Sequence, residues 1–410
     1  MTTIALLGTL DTKGEEYGWL HAQFREAGAD VLMIDVGPFS SSPLADVTSD
    51  EVITAAGVDP VGLRERRDRG EAMGVMGQGA AIILRRLAGA GEIDGFLAIG
   101  GSGGSSVAAP SMQALPVGFP KVLVSTMASG DVSPYVGETD VTMMYSVVDV
   151  AGINSVSQAI LGNAAAAILG MARAYERRRA EALQEVKPVV GVTMFGVTTP
   201  AANEARERLG ELGYEVLVFH ATGAGGLAME KLVDSGLIVG VCDLTTTELA
   251  DDLVGGVLTA GPHRLEKAGE LGVPQVVSVG ALDMVNFGPM DTVPAQFAER
   301  KLLVHNPTVT LMRTTVDENA ELGRRIARKL AAATGPVDLY LPLRGVSAID
   351  VEGGPFYDAD ADEALFQALR IGLAGSDVVV HEEDAAINDE GFGRKMADRL
   401  HELITTTVVK

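Results

Sequence analysis

Short apolar runs recur along the chain, each closed by Gly, Ser, Thr or Asp, and in the first part they cover residues 4–7, 31–34, 96–99 and 122–124. Amphipathic stretches such as 15–27 and 79–87 lie between several of them. Runs this short read as strands and the stretches between them as helices. Strand, helix, strand order predicts a parallel sheet with right-handed crossovers. Residues 163–185 turn Ala-rich and then strongly charged (ARAYERRRAEALQE), which predicts one long helix with a solvated far end. A domain boundary is expected after it, giving domains at 1–186 and 187–410. A second series of apolar runs follows at 189–192, 216–219, 237–241, 276–279, 310–312, 339–341 and 378–380, so the second domain is expected to have its own wound sheet. Met143, Met144 and Tyr145 fall in a further strand-like run and read as core.

Composition sharpens this into an α/β class. Hydrophobic residues make up 47% of the 410 positions but aromatics only 5%, so the interior is built from Ala, Val, Leu and Ile. That suits parallel strands covered on both faces by helices, a three-layer architecture. Asp plus Glu total 55 against 32 Lys plus Arg, a net charge of -23, which repels nucleic acid and anionic membranes at long range. A small phosphate ligand remains compatible, because amides at a helix start hold it without a basic surface. The single cysteine, Cys242, excludes an intrachain disulfide and a multi-cysteine metal site, and reads as a buried strand thiol. No apolar run reaches the roughly 18 residues of a membrane span, and MTTIALLGTLDTKGEE reads as strand then turn, not as a signal peptide. A cytoplasmic protein is expected.

In the first domain the opening strand runs into Thr9, Leu10, Asp11, Thr12 and Lys13, with a helix expected near Gly14. In a wound sheet this point faces the ligand crevice. Thr12 with Glu15 fits a capping box, so its hydroxyl serves either the helix or a ligand. Lys13 opposes the helix dipole, which a bound anion would make sense of; the other reading is an exposed charge. After the run at 96–99 come Gly100, Gly101, Ser102, Gly103, Gly104, Ser105 and Ser106. Four glycines between a strand end and a helix start let backbone amides approach an anion closely, and phosphate is the natural occupant. Neither GxxxxGK[ST] nor an early GxGxxG is present. Asp35 ends the second strand, where a carboxylate either accepts ribose hydroxyls or begins a turn. Ser125, Met127, Ala128 and Ser129 arrive at the same sheet edge, and Asp131 or Asp140 is a candidate for Mg²⁺ held through water. The RERRDRG segment reads as a solvated helix end or loop.

Polar groups crowd the strand ends of the second domain. His220 precedes a glycine-rich turn; Asp243 precedes Thr245–Thr247 and reads either as a helix cap or as a catalytic group; Asp283 and Asn286 follow the run at 276–279; His305 and Asn306 precede a strand ending at Arg313. Should these ends converge, His220, Asp243, Asp283 and Arg313 provide acid–base chemistry on an anionic substrate, with Arg313 as the anion anchor. A metal on His220, Asp243 or Asp283 has no diagnostic spacing behind it.

The strings GTLDTKGEE, AIGGSGGSS, VSTMASGD, MMYSVVDVAGIN, GVTMFGVTTP, FHATGAGGLAME, DLTTTELADD, GALDMVNFG, HNPTVTLMRTT and NDEGF together resemble the family of ATP-binding domains named for the N-terminal, replicase-inhibiting part of the tomato mosaic virus resistance protein. The resemblance runs over essentially the whole chain. It implies two Rossmann-like domains, ATP as ligand of the first, and a homodimer; it supplies no reaction, and antiviral activity is not carried over. Three functional classes follow: an ATP-using enzyme acting on a small anionic metabolite at an interdomain cleft, a regulatory module that binds ATP without consuming it, and an enzyme of the second domain that uses no nucleotide.

Overall fold

The computed structural model describes residues 1–181 and 187–408. The chain separates into two compact units, Met1–Val186 and Lys187–Lys410. The expected helix over 163–185 is part of a longer one, Ser155–Glu181, and its last residues lie outside the described residues.

The first unit is built on β1 (Thr3–Gly8), β2 (Asp30–Asp35), β3 (Gly95–Gly100), β4 (Lys121–Ser125) and β5 (Thr142–Tyr145). They form one parallel sheet in the order β2-β1-β3-β4-β5. Strands β3 and β4 are buried along their whole length, as central strands covered on both faces must be. Alternation along each strand divides the core. Ala5, Leu7, Phe96, Ala98 and Leu123 pack under helices Arg69–Gly89 and Ser102–Ala114. Ile4, Leu6, Leu97, Ile99, Val122 and Val124 pack on the other face with helices Leu10–Glu26 and Ser155–Glu181. The fold class is therefore α/β in three layers.

Two readings change. Met143 and Met144 are half-buried and Tyr145 is exposed, because β5 is the edge strand and only one of its sides meets a neighbour. Helix Ser155–Ala180 is long and apolar enough by composition to cross a membrane, with a mean hydropathy of 1.3. Its Leu161, Ala164, Ile168, Leu169 and Ala172 instead pack into the core against the sheet, which accounts for that composition.

The second unit contributes β6 (Val189–Met194), β7 (Glu215–His220), β8 (Gly240–Thr245), β9 (Gln275–Gly280), β10 (Met284–Phe287), β11 (Leu302–Asn306), β12 (Val309–Arg313), β13 (Val337–Pro342) and β14 (Val379–Glu383). Six of them form a parallel sheet in the order β14-β13-β9-β8-β6-β7. The run at 310–312, expected in this sheet, belongs to a separate antiparallel sheet of order β10-β12-β11. β10 follows β9 after only residues 281–283, far short of the dozen or so residues a parallel crossover needs, and β12 pairs antiparallel with β10 outside the wound sheet. In both wound sheets the first strand lies inside, with the second strand on one side and the third on the other. The winding direction therefore reverses between β1 and β3, and between β6 and β8, and ligand crevices in open sheets of this kind form beyond the carboxyl ends of strands at such a reversal.

Candidate functional site

At the β1/β3 reversal two loops meet. Beyond β1, helix Leu10–Glu26 makes one turn, is interrupted at Lys13 (φ -128°, ψ 20°), and then continues. It begins earlier than the expected start near Gly14, so the Thr12–Glu15 capping box does not form. The cap position is Thr9, whose hydroxyl pairs with that of Thr12 at 2.8 Å. Beyond β3, helix Ser102–Ala114 starts at once with Gly101 in the cap position, and no side chain caps its first amides. Those amides and Thr9, Asp11, Thr12, Lys13 and Gly100–Gly104 border one cleft of about 360 Å³.

Further walls of this cleft come from residues that pattern reading does not mark. Arg69 is the first residue of helix Arg69–Gly89, beyond its cap Asp68, so the segment read as a solvated end delivers a cation beside Gly103. Phe39 offers a ring that is 56% exposed. Lys13 Nζ donates to the Val150 carbonyl while lining the same space.

Tyr17 holds the cleft's floor together. Paired register between β1 and β3 ends at Leu7 and Ala98, and there the Tyr17 hydroxyl donates to the Leu7 carbonyl and accepts from Ile99 N–H at 3.0 Å. Gly8 is required for this, since a Cβ there would stand 2.0 Å from the Tyr17 ring. Burial pushes the phenol well above its ordinary range, so it acts as a neutral hydrogen-bonding group.

The remaining nucleotide-contact candidates stand outside the cleft wall. Asp35 is buried, and its Oδ1 accepts from Leu10 N–H at 3.3 Å and Gly37 N–H at 2.9 Å, tying the loop after β2 to the start of the first helix. Ser105 and Ser125 are buried under the glycine loop, 2.6 Å apart, and satisfy each other. Met127, Ala128 and Ser129 form the turn Thr126–Ser129, which Ser125 caps through Met127 N–H at 3.0 Å. Neither Mg²⁺ candidate stands free. Asp131 accepts from Ser133, and Asp140 pairs with the buried Lys121 at 2.6 Å, at the opposite, amino-terminal end of β4. Among the described residues no group of three or more His, Cys, Asp or Glu side chains is arranged to hold a metal.

In the second unit the structure does not bring His220, Asp243, Asp283 and Arg313 into one crevice. Asp243 lies within β8, and helix Glu248–Val254 takes Thr247 at its cap position, so Asp243 is no helix cap. It makes a two-point pair with the fully buried Arg264, at 2.5 and 2.7 Å. Arg264 also holds Glu248 at 2.6 Å, and the other oxygen of Glu248 accepts from Gly223 and Gly226 N–H at 2.7 and 3.0 Å. The glycine-rich turn after His220 is thus filled by the protein's own carboxylate, and a Cβ at Gly226 would lie 2.2 Å from it. Arg313 is likewise engaged. It pairs with Asp362 at 2.7 Å and Asp350 at 3.3 Å and donates to the Phe356 carbonyl at 2.7 Å, which leaves it as a structural hub and not an open anion anchor. Asp283 belongs to the same buried cluster, where burial raises its carboxyl and those of Asp350 and Asp362, Arg313 opposing the shift. Cys242 is buried in β8, and burial with neighbouring Asp243 pushes its thiol upward, away from nucleophilic character. His220 alone of the four lines an open cavity, of about 270 Å³, together with His305 and Asn306.

Fold and cleft together define a two-unit α/β protein with an open cleft at a topological switch point. The N-terminal and C-terminal domains of the family described as Uncharacterised protein family (UPF0261) match residues 2–177 and 187–404, and the chain belongs to this family. A UPF0261 protein of Clostridium tetani is 52% identical over 398 residues, covering 97% of this chain and 98% of that protein. The ToMV resistance protein Tm-1(GCR237) of Solanum lycopersicum is 40% identical over 415 residues, covering 97% of this chain and 55% of the tomato protein. The tomato ToMV susceptible protein tm-1(GCR26) is 41% identical, over 97% of this chain and 55% of its own length. Among solved structures, a UDP-N-acetylglucosamine 2-epimerase from Rickettsia bellii aligns over 100% of this chain and 95% of its own at 8% identity and a TM-score of 0.23, too slight a likeness to bear on function.

Proposed function

We propose that the first unit binds ATP, with the triphosphate against the amides of Ser102, Gly103 and Gly104 and the side chains of Lys13 and Arg69. The observation that carries this reading is the convergence of the Thr9–Lys13 loop and the uncapped glycine loop on one cleft at the β1/β3 reversal. A helix N-terminus favours an anion through its free amides and its dipole, and two cations on the walls favour a multiply charged one. Mg²⁺ accompanies the nucleotide in this reading. Asp11 and Asp149 are the carboxylates that face the cleft, in place of Asp131 and Asp140.

Coupled to this, the second unit holds a small anionic metabolite, and the protein is an ATP-using enzyme. A second reading, ATP binding without turnover, draws support from the burial of Asp243, Asp283 and Arg313 in ion-paired clusters. A cytoplasmic homodimer completes the proposal; exposed Tyr145, Val147 and Val148 at the edge of the first sheet support self-association. Calorimetric titration with ATP and Mg²⁺, followed by phosphate release against a panel of small acids, tests these readings. ATP binding with turnover on one acid supports the enzyme, binding without turnover on any acid supports the regulatory reading, and no binding of any nucleotide refutes the proposal.

A further inference from the structure

The second unit holds an open cavity at the carboxyl ends of β6 and β7, walled by the β11–β12 hairpin. Two of its polar groups are imidazoles, His220 and His305, both exposed. Three of the unit's other histidines are engaged: His263 with Glu266 at 2.9 Å, His381 with Asp338 at 2.5 Å and His401 with Tyr214 at 2.9 Å. Among the described residues neither the His220 nor the His305 imidazole has a hydrogen-bond or ion-pair partner, and the His220 ring packs against that of Phe195. Asn306 stands beside them with its Oδ1 taken by Thr308, through N–H and hydroxyl at 2.9 Å each, which leaves its NH₂ to donate.

Among the described residues no carboxylate lines this cavity, in a chain whose net charge is -23. Asn306 can offer its NH₂ and each imidazole one ring N–H, so an occupant with several acceptor lone pairs engages all three at once. A carboxylate, with four lone-pair positions, matches that set of donors.

Apart from Thr222, whose hydroxyl donates to the His220 carbonyl, the rest of the wall is apolar, with Phe195, Val197, Leu258 and Leu311. Phe195 and His220 meet edge to face, ring centroids 5.4 Å apart at 64°, an arrangement that extends readily to a third planar ring. A volume of about 270 Å³ falls just below the usual range of ligand pockets, enough for one or two fused rings and too little for a nucleotide.

We infer that this cavity binds a small aromatic or heteroaromatic monocarboxylate, held by His220, His305 and Asn306 at its acid group and by Phe195 and the aliphatic wall at its ring. The inference gives the small-anion reading of the second unit a place and a chemical class, and does not depend on the nucleotide in the first.

The test uses the full chain, titrated by calorimetry and ligand-observed NMR with benzoate, nicotinate and indole-3-carboxylate, with benzamide and acetate as comparisons. At least one aromatic acid is expected to bind, with benzamide and acetate each at least tenfold weaker, and with His220→Ala and His305→Ala each weakening the acid at least fivefold while melting temperatures stay unchanged. ATP is titrated into the same samples, and Ser102→Asp is expected to leave the acid's affinity unaltered, so failure of one site is read separately from failure of the other. Absence of binding by all three acids, equal affinity for benzamide, or an affinity indifferent to both histidine variants overturns the inference.

Discussion

Ser102→Asp separates binding from stability in the first unit, because its two effects have opposite signs. Ser102 is exposed at the first position of helix Ser102–Ala114, so the added carboxylate meets no steric barrier. An acid in the first turn interacts favourably with the helix dipole, by about 0.3–1 kcal/mol. The same charge stands where a phosphate would bind. Two unit charges about 4 Å apart repel by about 1 kcal/mol in bulk water and about 4 kcal/mol at the effective dielectric near a protein surface. A phosphate carrying more than one charge raises this, so a loss of at least about 1.4 kcal/mol, or tenfold in affinity, is the conservative expectation. Calorimetry with ATP and Mg²⁺ and thermal melting without ligand read the two quantities. Affinity reduced at least tenfold with an unchanged or higher melting temperature is predicted; an unchanged affinity refutes the phosphate cradle. Ser102→Asn, the uncharged counterpart, is expected to stay within about threefold of the wild type, which isolates charge from shape.

Arg69→Ala should weaken ATP by about 10- to 100-fold, the range of one charged hydrogen bond, while leaving adenosine unaffected; equal losses for both ligands would place Arg69 away from the phosphates. Tyr17→Phe leaves the buried Ile99 N–H and Leu7 carbonyl without their partner, and should lower the unfolding free energy in urea by about 1–3 kcal/mol; no change in the midpoint would mean those groups are satisfied otherwise. Stability should also fall as pH rises across the range from about 4 to 7. Burial pushes Asp251 up to about 7, against the donors Asn286 and Leu258, so within that window the folded chain keeps a proton that the unfolded chain releases. Asp283, Asp350 and Asp362 act in the same sense, whereas carboxylates held low by arginines, such as Glu318 beside Arg300, act in the opposite sense only at the lower end of this window. A urea midpoint that rises from pH 5 to pH 7 would contradict this.

What the sequence makes legible is whatever depends on local pattern. Apolar runs of strand length with helical stretches between them suffice for both parallel sheets, and Gly100–Gly104 declares an uncapped helix start without any neighbour. What it conceals is long-range pairing. Nothing around Glu248 announces that its carboxylate fills the turn at Gly223–Gly226, some two dozen residues earlier, so that turn looks as open in sequence as the one that is open in the structure. Arg313 reads as an anion anchor because its partners Asp350 and Asp362 lie on a segment tens of residues away. Arg69, within a run of surface charges, has no local mark of the cleft it reaches. The hairpin of β11 and β12 was legible in principle, since Asn306 and Thr308 make a tight polar turn between two apolar runs, but the surrounding series of parallel strands masked it.

A crystal structure with a non-hydrolysable ATP analogue and Mg²⁺ tests the phosphate cradle most directly. Phosphate oxygens within hydrogen-bonding distance of the amides of Ser102, Gly103 and Gly104, with Lys13 and Arg69 turned onto them, are the predicted result. A nucleotide seated elsewhere in the chain, or a cleft that stays empty at saturating analogue, would contradict it.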